Sequence, residues 1–179
     1  MDATRQIQNI ALIGFMGTGK SSVGQMLAAH LHFNFFDTDH ELERRAGKSI
    51  AEIFAQEGEP AFRQWEGRIV QDLTHRKKTV ISTGGGLPAN DLNLASLKTH
   101  ALVVCLWASE EKIWERVRGQ SHRPLLLGPE PLAKIHTLLA ARKPFYQQAD
   151  VLVNTEMRSV REVTQQVVHQ FQLALAGQT

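Results

Sequence analysis

Cysteine is nearly absent from this sequence, which has one cysteine among 179 residues. A single cysteine cannot form a disulfide within its own chain, so the fold must depend on its core. Cys105 lies in the apolar run 101–106, and we expect it to be a small buried hydrophobic residue. The length and the hydrophobic content of 42% are typical of one globular domain, spanning residues 1–179, that buries a core without covalent cross-links.

Long hydrophobic runs are also lacking, and none approaches the roughly 18 apolar residues that a membrane-spanning helix needs. Residues 1–6 lack the hydrophobic segment of a targeting sequence. Charge of one sign is not in excess, because 20 basic residues oppose 18 acidic ones. The basic residues are scattered and not interleaved with aromatic ones, which does not favour nucleic-acid binding. We therefore expect a cytoplasmic protein with neither nucleic-acid nor membrane partners.

Short apolar segments that favour β-strands alternate with segments of helical periodicity. The strands are predicted at residues 7–13, 33–36, 79–82, 101–107 and 151–153. The helices are predicted at residues 20–31, 50–55, 59–75, 92–98, 110–118, 131–149 and 160–175. Pro144 is expected to kink or divide the sixth helix. Because the strands are continuously apolar and alternate with helices, they predict an α/β fold with a parallel sheet buried on both faces.

The sequence GFMGTGKS at residues 14–21 lies between the first predicted strand and the first predicted helix. In such a P-loop, glycines let successive amides point inward, and the helix that follows adds its positive end, so that a polyphosphate can bind. Lys20 would reach the β- and γ-phosphates, and the Ser21 hydroxyl would hold Mg²⁺. The alternative is a chance match in a glycine-rich turn, against which the strand before it and the helix after it argue.

Asp37 and Asp39 lie at the end of the second predicted strand, where ligands bind in open α/β sheets. One carboxylate can bind the water shell of a metal, and the other can accept a proton or hydrogen bond from a substrate hydroxyl. The third strand ends without an aspartate, so Asp37 is the expected magnesium partner. Alternatively, one aspartate only caps a helix that begins near residue 40.

Four further features are not decided by the residues alone. Arg63 lies beside the apolar stripe of a helix, a position where an isolated arginine is usually a solvated charge. Residues 84–86 are three glycines, which indicate close approach of a ligand or a bare loop. The basic, Gly/Pro-bounded segment 116–129 can fold over a nucleotide or form a surface loop. Arg142 could contact a substrate carboxylate or a surface acid.

Taken together, these motifs resemble the shikimate kinase family over residues 10–158. The matching positions are 14–21, Asp37 with Asp39, 47–50, 53–54, 58–59, Phe62 with Arg63 and Glu66, 84–86, 123–126, and Arg142 with Tyr146. The P-loop alone indicates only nucleotide binding, whereas this ordered set is specific to the family. The resemblance implies a P-loop kinase of the nucleoside-monophosphate-kinase type, with five parallel strands in the order 2-3-1-4-5. It also implies a shikimate-binding helical segment at about 38–66 and a lid at about 116–130.

The resemblance further implies transfer of the γ-phosphoryl group of ATP to the 3-hydroxyl of shikimate, in chorismate and aromatic amino acid biosynthesis. The residues that would bind ATP are Gly17, Thr18, Gly19, Lys20, Ser21, Ser22, Arg116, Arg123 and Arg158, with Arg116 near the adenine. Those that would bind shikimate are Asp39, Arg63, Gly84, Gly85, Gly86 and Arg142. Ser21 would ligate Mg²⁺ with Asp37 acting through water, and Lys20, Asp39 and Arg123 would be catalytic. We expect a monomer.

Three other functions are weighed against this one. A gluconate or nucleoside-monophosphate kinase would share the P-loop but has no reason to combine Asp37 and Asp39 with Arg63 and three glycines. A non-catalytic nucleotide-binding relative should have lost Lys20, Asp39 or Arg123, and all three are present. A structural interaction protein fits the sequence least.

Overall fold

The computed structural model describes residues 5–119 and 130–177. Within these residues lies one parallel sheet, and its strands are β1 (Asn9–Ile13), β2 (Asn34–Asp37), β3 (Thr79–Ser82), β4 (Ala101–Trp107) and β5 (Val151–Asn154). The strand order is β2-β3-β1-β4-β5, and each neighbouring pair is parallel. The five predicted strands and their predicted order are therefore confirmed.

Helices connect the strands and cover both faces of the sheet. They are α1 (Lys20–Leu31), α2 (Thr38–Ala46), α3 (Ile50–Gln56), α4 (Gly58–Leu73), α5 (Asp91–His100), α6 (Glu110–Val117), α7 (Pro131–Tyr146) and α8 (Val160–Ala176). Of the two effects expected of Pro144, a kink or a division of the sixth predicted helix, division does not occur, since α7 is continuous through it. Pro144 lies in the last turn, where the helix has little left to interrupt. None of the helices within the described residues is both long and apolar enough to cross a bilayer.

Strand β1 shows how the sheet is buried on both faces. Its five residues are all buried, and because successive side chains point to opposite faces, Ala11 and Ile13 belong to one core layer while Ile10 and Leu12 belong to the other. Cys105 of β4 is 1% exposed, as expected, and burial raises the pKa of its thiol to about 12. The two core layers cover both faces of the sheet. The carboxyl ends of β1, β2 and β3 lie at its edge, where the candidate site is found.

Candidate active site

The P-loop joins β1 to α1 through backbone conformations that require glycine. Gly14 and Gly17 have φ angles of 134° and 77°, in the region that side chains rarely adopt. Space is also lacking, because a Cβ on Gly14 would overlap the carbonyl of Leu106, and one on Gly17 would lie 2.7 Å from Val117 Cγ1. The glycines predicted to wrap a phosphate chain therefore bend the loop tightly against its neighbours.

Lys20 is buried at the start of α1, and its ammonium group points back into the loop. Its Nζ donates to the carbonyl oxygens of Gly14 at 2.9 Å and Phe15 at 2.8 Å. Thr18 Oγ1 donates to the same Phe15 carbonyl at 2.8 Å. The loop carbonyls thus hold the cation in place beside the cavity, where a polyphosphate would be the stronger acceptor.

Three oxygen-bearing side chains meet where α1, β2 and β3 converge. Ser21 Oγ donates to Asp37 Oδ2 at 3.1 Å and lies 3.5 Å from Ser82 Oγ. Asp37 Oδ1 accepts from the amides of Asp39 and His40, at 3.1 and 3.2 Å, and so caps α2. The two interpretations of Asp37 are therefore compatible, since one oxygen caps the helix and the other faces Ser21. Hard oxygen donors of this kind fit Mg²⁺, which is usually held by few protein ligands together with phosphate.

Each glycine of the 84–86 loop lies against a different charged side chain. A Cβ on Gly84 would overlap the Asp39 carboxylate, one on Gly85 would lie 3.3 Å from Arg142 Nη1, and one on Gly86 would lie 2.7 Å from Arg63 Nη1. The interpretation as a bare loop is therefore wrong. The structure brings the predicted substrate-binding residues together around this loop.

Arg63 is not the solvated charge that an isolated helical arginine usually is. Its Nη1 donates to Glu66 Oε2 at 2.7 Å, its Nη2 donates to Glu59 Oε1 at 2.8 Å, and its Cζ lies 5.3 Å from the Phe62 ring centroid. Glu66 is only 2% exposed. Burial raises the pKa of Glu66, and the charge of Arg63 opposes that rise. Two acidic partners on one helix therefore fix the guanidinium beside Gly86.

The structure excludes one of the two interpretations of Arg142 and adds Glu66 to the residues of the site. Arg142 is 8% exposed and its Cζ lies 5.5 Å from the Phe15 ring centroid, which does not fit the alternative of pairing with a surface acid. From the sequence, Glu66 belongs only to the family pattern, and it is not among the predicted site residues. The available signal was its spacing, because residues three apart on a helix share a face and Arg63 precedes Glu66 by three.

The two arginines Arg116 and Arg158, both predicted to lie near the nucleotide, make different contacts. Arg116 Nη1 donates to the carbonyl of Gly17 at 3.2 Å and to Thr155 Oγ1 at 3.0 Å, and its Nη2 donates to the Thr155 carbonyl at 2.6 Å. It therefore ties the P-loop to the loop after β5. Arg158 is exposed, and its Nη1 donates to the Asn154 carbonyl and to Gln166 Oε1. Arg123 and most of the predicted lid, 116–130, lie outside the described residues.

One cavity of about 270 Å³ joins most of these groups. Its lining residues are Met16, Gly17, Gly19, Lys20, Ser21, Ser22, Asp37, Asp39, Ser82, Thr83, Gly85 and Arg116. The P-loop, the hydroxyl and carboxylate suited to a metal, and Asp39 line this cavity, while the guanidinium groups of Arg63 and Arg142 lie against the adjoining glycine loop. Transfer of phosphate to a small polar molecule requires parts of this kind. The fold and the site together define a P-loop small-molecule kinase.

Comparisons with known proteins narrow this class to one family. The family model described as "Shikimate kinase" matches residues 16–172. The shikimate kinase of Thermodesulfovibrio yellowstonii is 40% identical over 173 residues, covering 97% of this chain and 100% of the relative. That of Symbiobacterium thermophilum is 42% identical over 167 residues, covering 92% and 96%. The chain belongs to the shikimate kinase family.

Solved structures agree with this assignment. The shikimate kinase from Acinetobacter baumannii in complex with shikimate has a TM-score of 0.88 and 38% identity, covering 98% of this chain and 97% of that one. A gluconokinase from Sinorhizobium meliloti has a TM-score of 0.61 at 18% identity, which shows a shared fold alone. The gluconate-type alternative is therefore the weaker one.

Proposed function

We propose that this chain transfers the γ-phosphoryl group of ATP to the 3-hydroxyl of shikimate, giving shikimate 3-phosphate and ADP, on the route to chorismate and aromatic amino acids. The observation that carries the proposal is the placement of Asp39, Arg142 and Arg63 against three consecutive glycines beside the P-loop. A molecule with one carboxylate and several hydroxyls needs cations, an acceptor and close backbone approach in one pocket. The relative from Acinetobacter baumannii is described in complex with shikimate.

At the nucleotide end, residues 17–22 would bind the phosphates of ATP. Lys20 would exchange the carbonyls of Gly14 and Phe15 for the β- and γ-phosphate oxygens, because an anion is the stronger acceptor. Arg116, which donates to Gly17 and Thr155, would lie near the adenine, and Arg158 would lie near the nucleotide. Ser21 and Asp37 would hold Mg²⁺, which supplies positive charge to the phosphate oxygens when bound.

At the substrate end, Asp39 would orient the attacking hydroxyl and accept its proton. Because phosphoryl transfer passes through a loose transition state, positioning is expected to be the larger part of this contribution. Arg63 and Arg142 would bind the carboxylate of shikimate, with Gly84, Gly85 and Gly86 allowing the close approach. Arg123, on the predicted lid, would meet the transferring phosphoryl group.

The cations around the glycine loop can still receive a substrate carboxylate, although carboxylates of the chain lie beside them. Two carboxylates, Asp39 and Glu66, stand near two guanidinium groups, those of Arg63 and Arg142, and both Asp39 and Arg142 influence the pKa of Glu66. Arg63 makes three hydrogen bonds to Glu59 and Glu66, so two of the five N–H donors of its guanidinium group remain for a substrate carboxylate. A monomeric state, a cytoplasmic location and the absence of nucleic-acid and membrane partners stay predictions from the sequence.

The test is an assay of ADP release with ATP and, in separate reactions, shikimate, gluconate or AMP. Of the three acceptors, we expect only shikimate to be phosphorylated. Phosphorus NMR of the product should place the phosphate on the 3-oxygen. Lys20→Ala is the control for contaminating kinases, since it removes the cation from the phosphate site. Turnover with gluconate or AMP but not with shikimate would contradict the proposal.

A further inference from the structure

Tyr146 is the sole tyrosine of the sequence, and it lies at the end of α7. The side chain is 6% exposed, and its ring packs in the core layer formed with α4 and α5. Its hydroxyl donates a hydrogen bond of 2.6 Å to the carbonyl oxygen of Gly85, 61 residues earlier in the chain. Burial raises the pKa of Tyr146 well above its ordinary value, so the hydroxyl remains a proton donor at physiological pH.

This hydrogen bond restrains a peptide unit that glycine otherwise leaves free to rotate. The Gly85 carbonyl and the Gly86 amide belong to one planar trans peptide unit, in which they point in opposite directions. A carbonyl held toward Tyr146 therefore turns the Gly86 amide away from α7. Among residues 5–119 and 130–177, neither the Gly85 nor the Gly86 amide donates a hydrogen bond to the chain. An amide so oriented beside Arg63 is a ready donor to an anion or hydroxyl.

Helix α7 contacts the same glycine with a second side chain. Arg142 precedes Tyr146 by four residues, and residues four apart lie on one face of a helix. A Cβ on Gly85 would lie 3.3 Å from Arg142 Nη1, a tight contact that would require the arginine to shift slightly. The last turns of α7 therefore place two side chains against Gly85. One is the cation Arg142, proposed to bind the substrate, and the other is Tyr146, the neutral donor to the loop.

We propose that Tyr146 is a positioning residue, whose hydroxyl holds the peptide between Gly85 and Gly86 in the orientation that presents the Gly86 amide to shikimate. The inference rests on the proposed function, which places shikimate against residues 84–86. Tyr146 itself does not touch the substrate. Its contribution is to remove the rotational freedom of the loop before the substrate arrives.

The first experiment compares Tyr146→Phe with Thr164→Val. Phe keeps the packed ring and removes the hydroxyl, and with it the hydrogen bond to the Gly85 carbonyl and the interaction with the Arg142 guanidinium. Thr164 is a matched control because it is 4% exposed, lies on α8 and donates a hydrogen bond of 2.8 Å to the Val160 carbonyl. We expect Tyr146→Phe to raise KM for shikimate about fivefold to tenfold, the usual effect of one lost hydrogen bond, with KM for ATP changed less than about twofold. Thr164→Val should change neither constant.

Arg63→Ala, measured alongside, separates this proposal from the function on which it rests. A raised shikimate KM in Arg63→Ala with an unchanged one in Tyr146→Phe would overturn the positioning role and leave the substrate site standing. Unchanged shikimate constants in both variants would overturn the site and the positioning role together. An equal rise of both KM values in Tyr146→Phe would indicate general loosening of the fold and would also overturn the proposal.

The second experiment uses the single tyrosine as a spectroscopic probe. In protein labelled with [¹³Cζ]tyrosine, one resonance reports on the Tyr146 hydroxyl. Shikimate that accepts from the Gly86 amide should polarise the peptide unit and strengthen the hydrogen bond at Gly85, so the resonance should shift on addition of shikimate. ATP alone should leave it in place. If saturating shikimate leaves the chemical shift of the resonance unchanged in the wild-type protein, the proposal is overturned.

Discussion

The guanidinium group of Arg63 occupies the space that a side chain on Gly86 would need. A Cβ at that position would lie 2.7 Å from Nη1 and 3.0 Å from Nη2. Arg63 cannot simply swing away, because Glu66 and Glu59 hold it at 2.7 and 2.8 Å. The third glycine of the loop is therefore explained by the position of a cation and not by its backbone conformation.

Gly86→Ala should consequently damage substrate binding more than folding. The new methyl group must displace the end of the Arg63 side chain, and a displaced guanidinium no longer meets the substrate carboxylate. Loss of a charge-assisted hydrogen bond costs about 1.5–3 kcal/mol, so we expect KM for shikimate to rise about tenfold or more, with KM for ATP little changed. Steady-state kinetics with each substrate varied in turn checks this.

The matched control for that substitution is Gly67→Ala in the same region. Gly67 lies within α4, and a Cβ there would come no closer than 4.0 Å to Asn93 Oδ1. Alanine is preferred over glycine inside a helix, so the melting temperature should stay level or rise while both KM values stay unchanged. Equal kinetic damage in the two variants would show that the contact between Gly86 and Arg63 has no special importance.

Asp37 should show two separable functions, since one oxygen caps α2 and the other faces Ser21. Asp37→Asn retains an acceptor for the amides of Asp39 and His40 but loses the charge that would attract Mg²⁺. We expect it to raise the magnesium concentration needed for half-maximal activity, with a small change in melting temperature. Asp37→Ala should add the loss of the helix cap, about 0.5–2 kcal/mol of stability. Magnesium titrations of activity and thermal unfolding of both variants measure the two effects.

Asn90→Ala supplies the comparison for the cap alone. Asn90 caps α5 with the same chemistry, because its Oδ1 accepts from the amides of Leu92 and Asn93. Its loss should lower stability without altering the magnesium dependence. If Asp37→Asn and wild type titrate identically with magnesium, Asp37 is a helix cap and nothing more.

Arg63, Arg142 and Arg123 should differ in which kinetic constant they change. The carboxylate of shikimate keeps its charge during the reaction, so contacts from Arg63 and Arg142 are alike in the ground and transition states, and their loss should mainly raise KM. Arg123 would meet oxygens whose charge redistributes during transfer, so Arg123→Ala should mainly lower kcat. Arg68→Ala, an exposed arginine on α4, is the control. An unchanged kcat with a much higher shikimate KM in Arg123→Ala would refute its role on a lid.

Local signals in the sequence predicted much of this structure. The P-loop has a motif of fixed spacing between a strand and a helix, and the buried strands are continuously apolar. The strand order, in contrast, came from the family resemblance, because periodicity cannot tell which strands are neighbours. Helix α2 is absent from the helices that periodicity predicts, whereas the resemblance implies a helical segment from about residue 38, where α2 begins.

What the sequence could not reveal depends on contacts between distant segments. A glutamate on a helix is usually solvated, so the burial of Glu66 becomes visible only when α4 packs beside the glycine loop. The hydrogen bond between Tyr146 and Gly85 joins residues 61 apart. The same limit applies to His100, whose buried contacts at the opposite end of the sheet depend on how β1, β3 and β4 align.

His100 should make stability depend on pH through its contact with Asn9. The amide of Thr79 donates to Asn9 Oδ1 at 3.0 Å, which fixes the orientation of the Asn9 side-chain amide. The NH₂ group of Asn9 therefore faces His100, with Nδ2 at 3.0 Å from His100 Nδ1. Nδ1 must therefore accept, and the imidazole is neutral in the fold. Burial lowers the pKa of His100 from its usual 6.5. The unfolded chain then binds the proton more readily, so stability is fully present above about pH 6.5 and declines as pH falls through that value toward the lower pKa of the folded state.

His100→Asn tests this, because the asparagine oxygen can replace Nδ1 as an acceptor and does not titrate. The smaller side chain should lower the free energy of unfolding by a constant amount, while the slope of that free energy against pH below about 6.5 becomes shallower than in wild type. His169→Asn, on the exposed side of α8, removes a histidine without a buried contact and should retain the wild-type slope. Urea unfolding at several pH values provides the slopes. A His100→Asn slope equal to that of wild type would mean that His100 is not the group through which acid destabilises this fold.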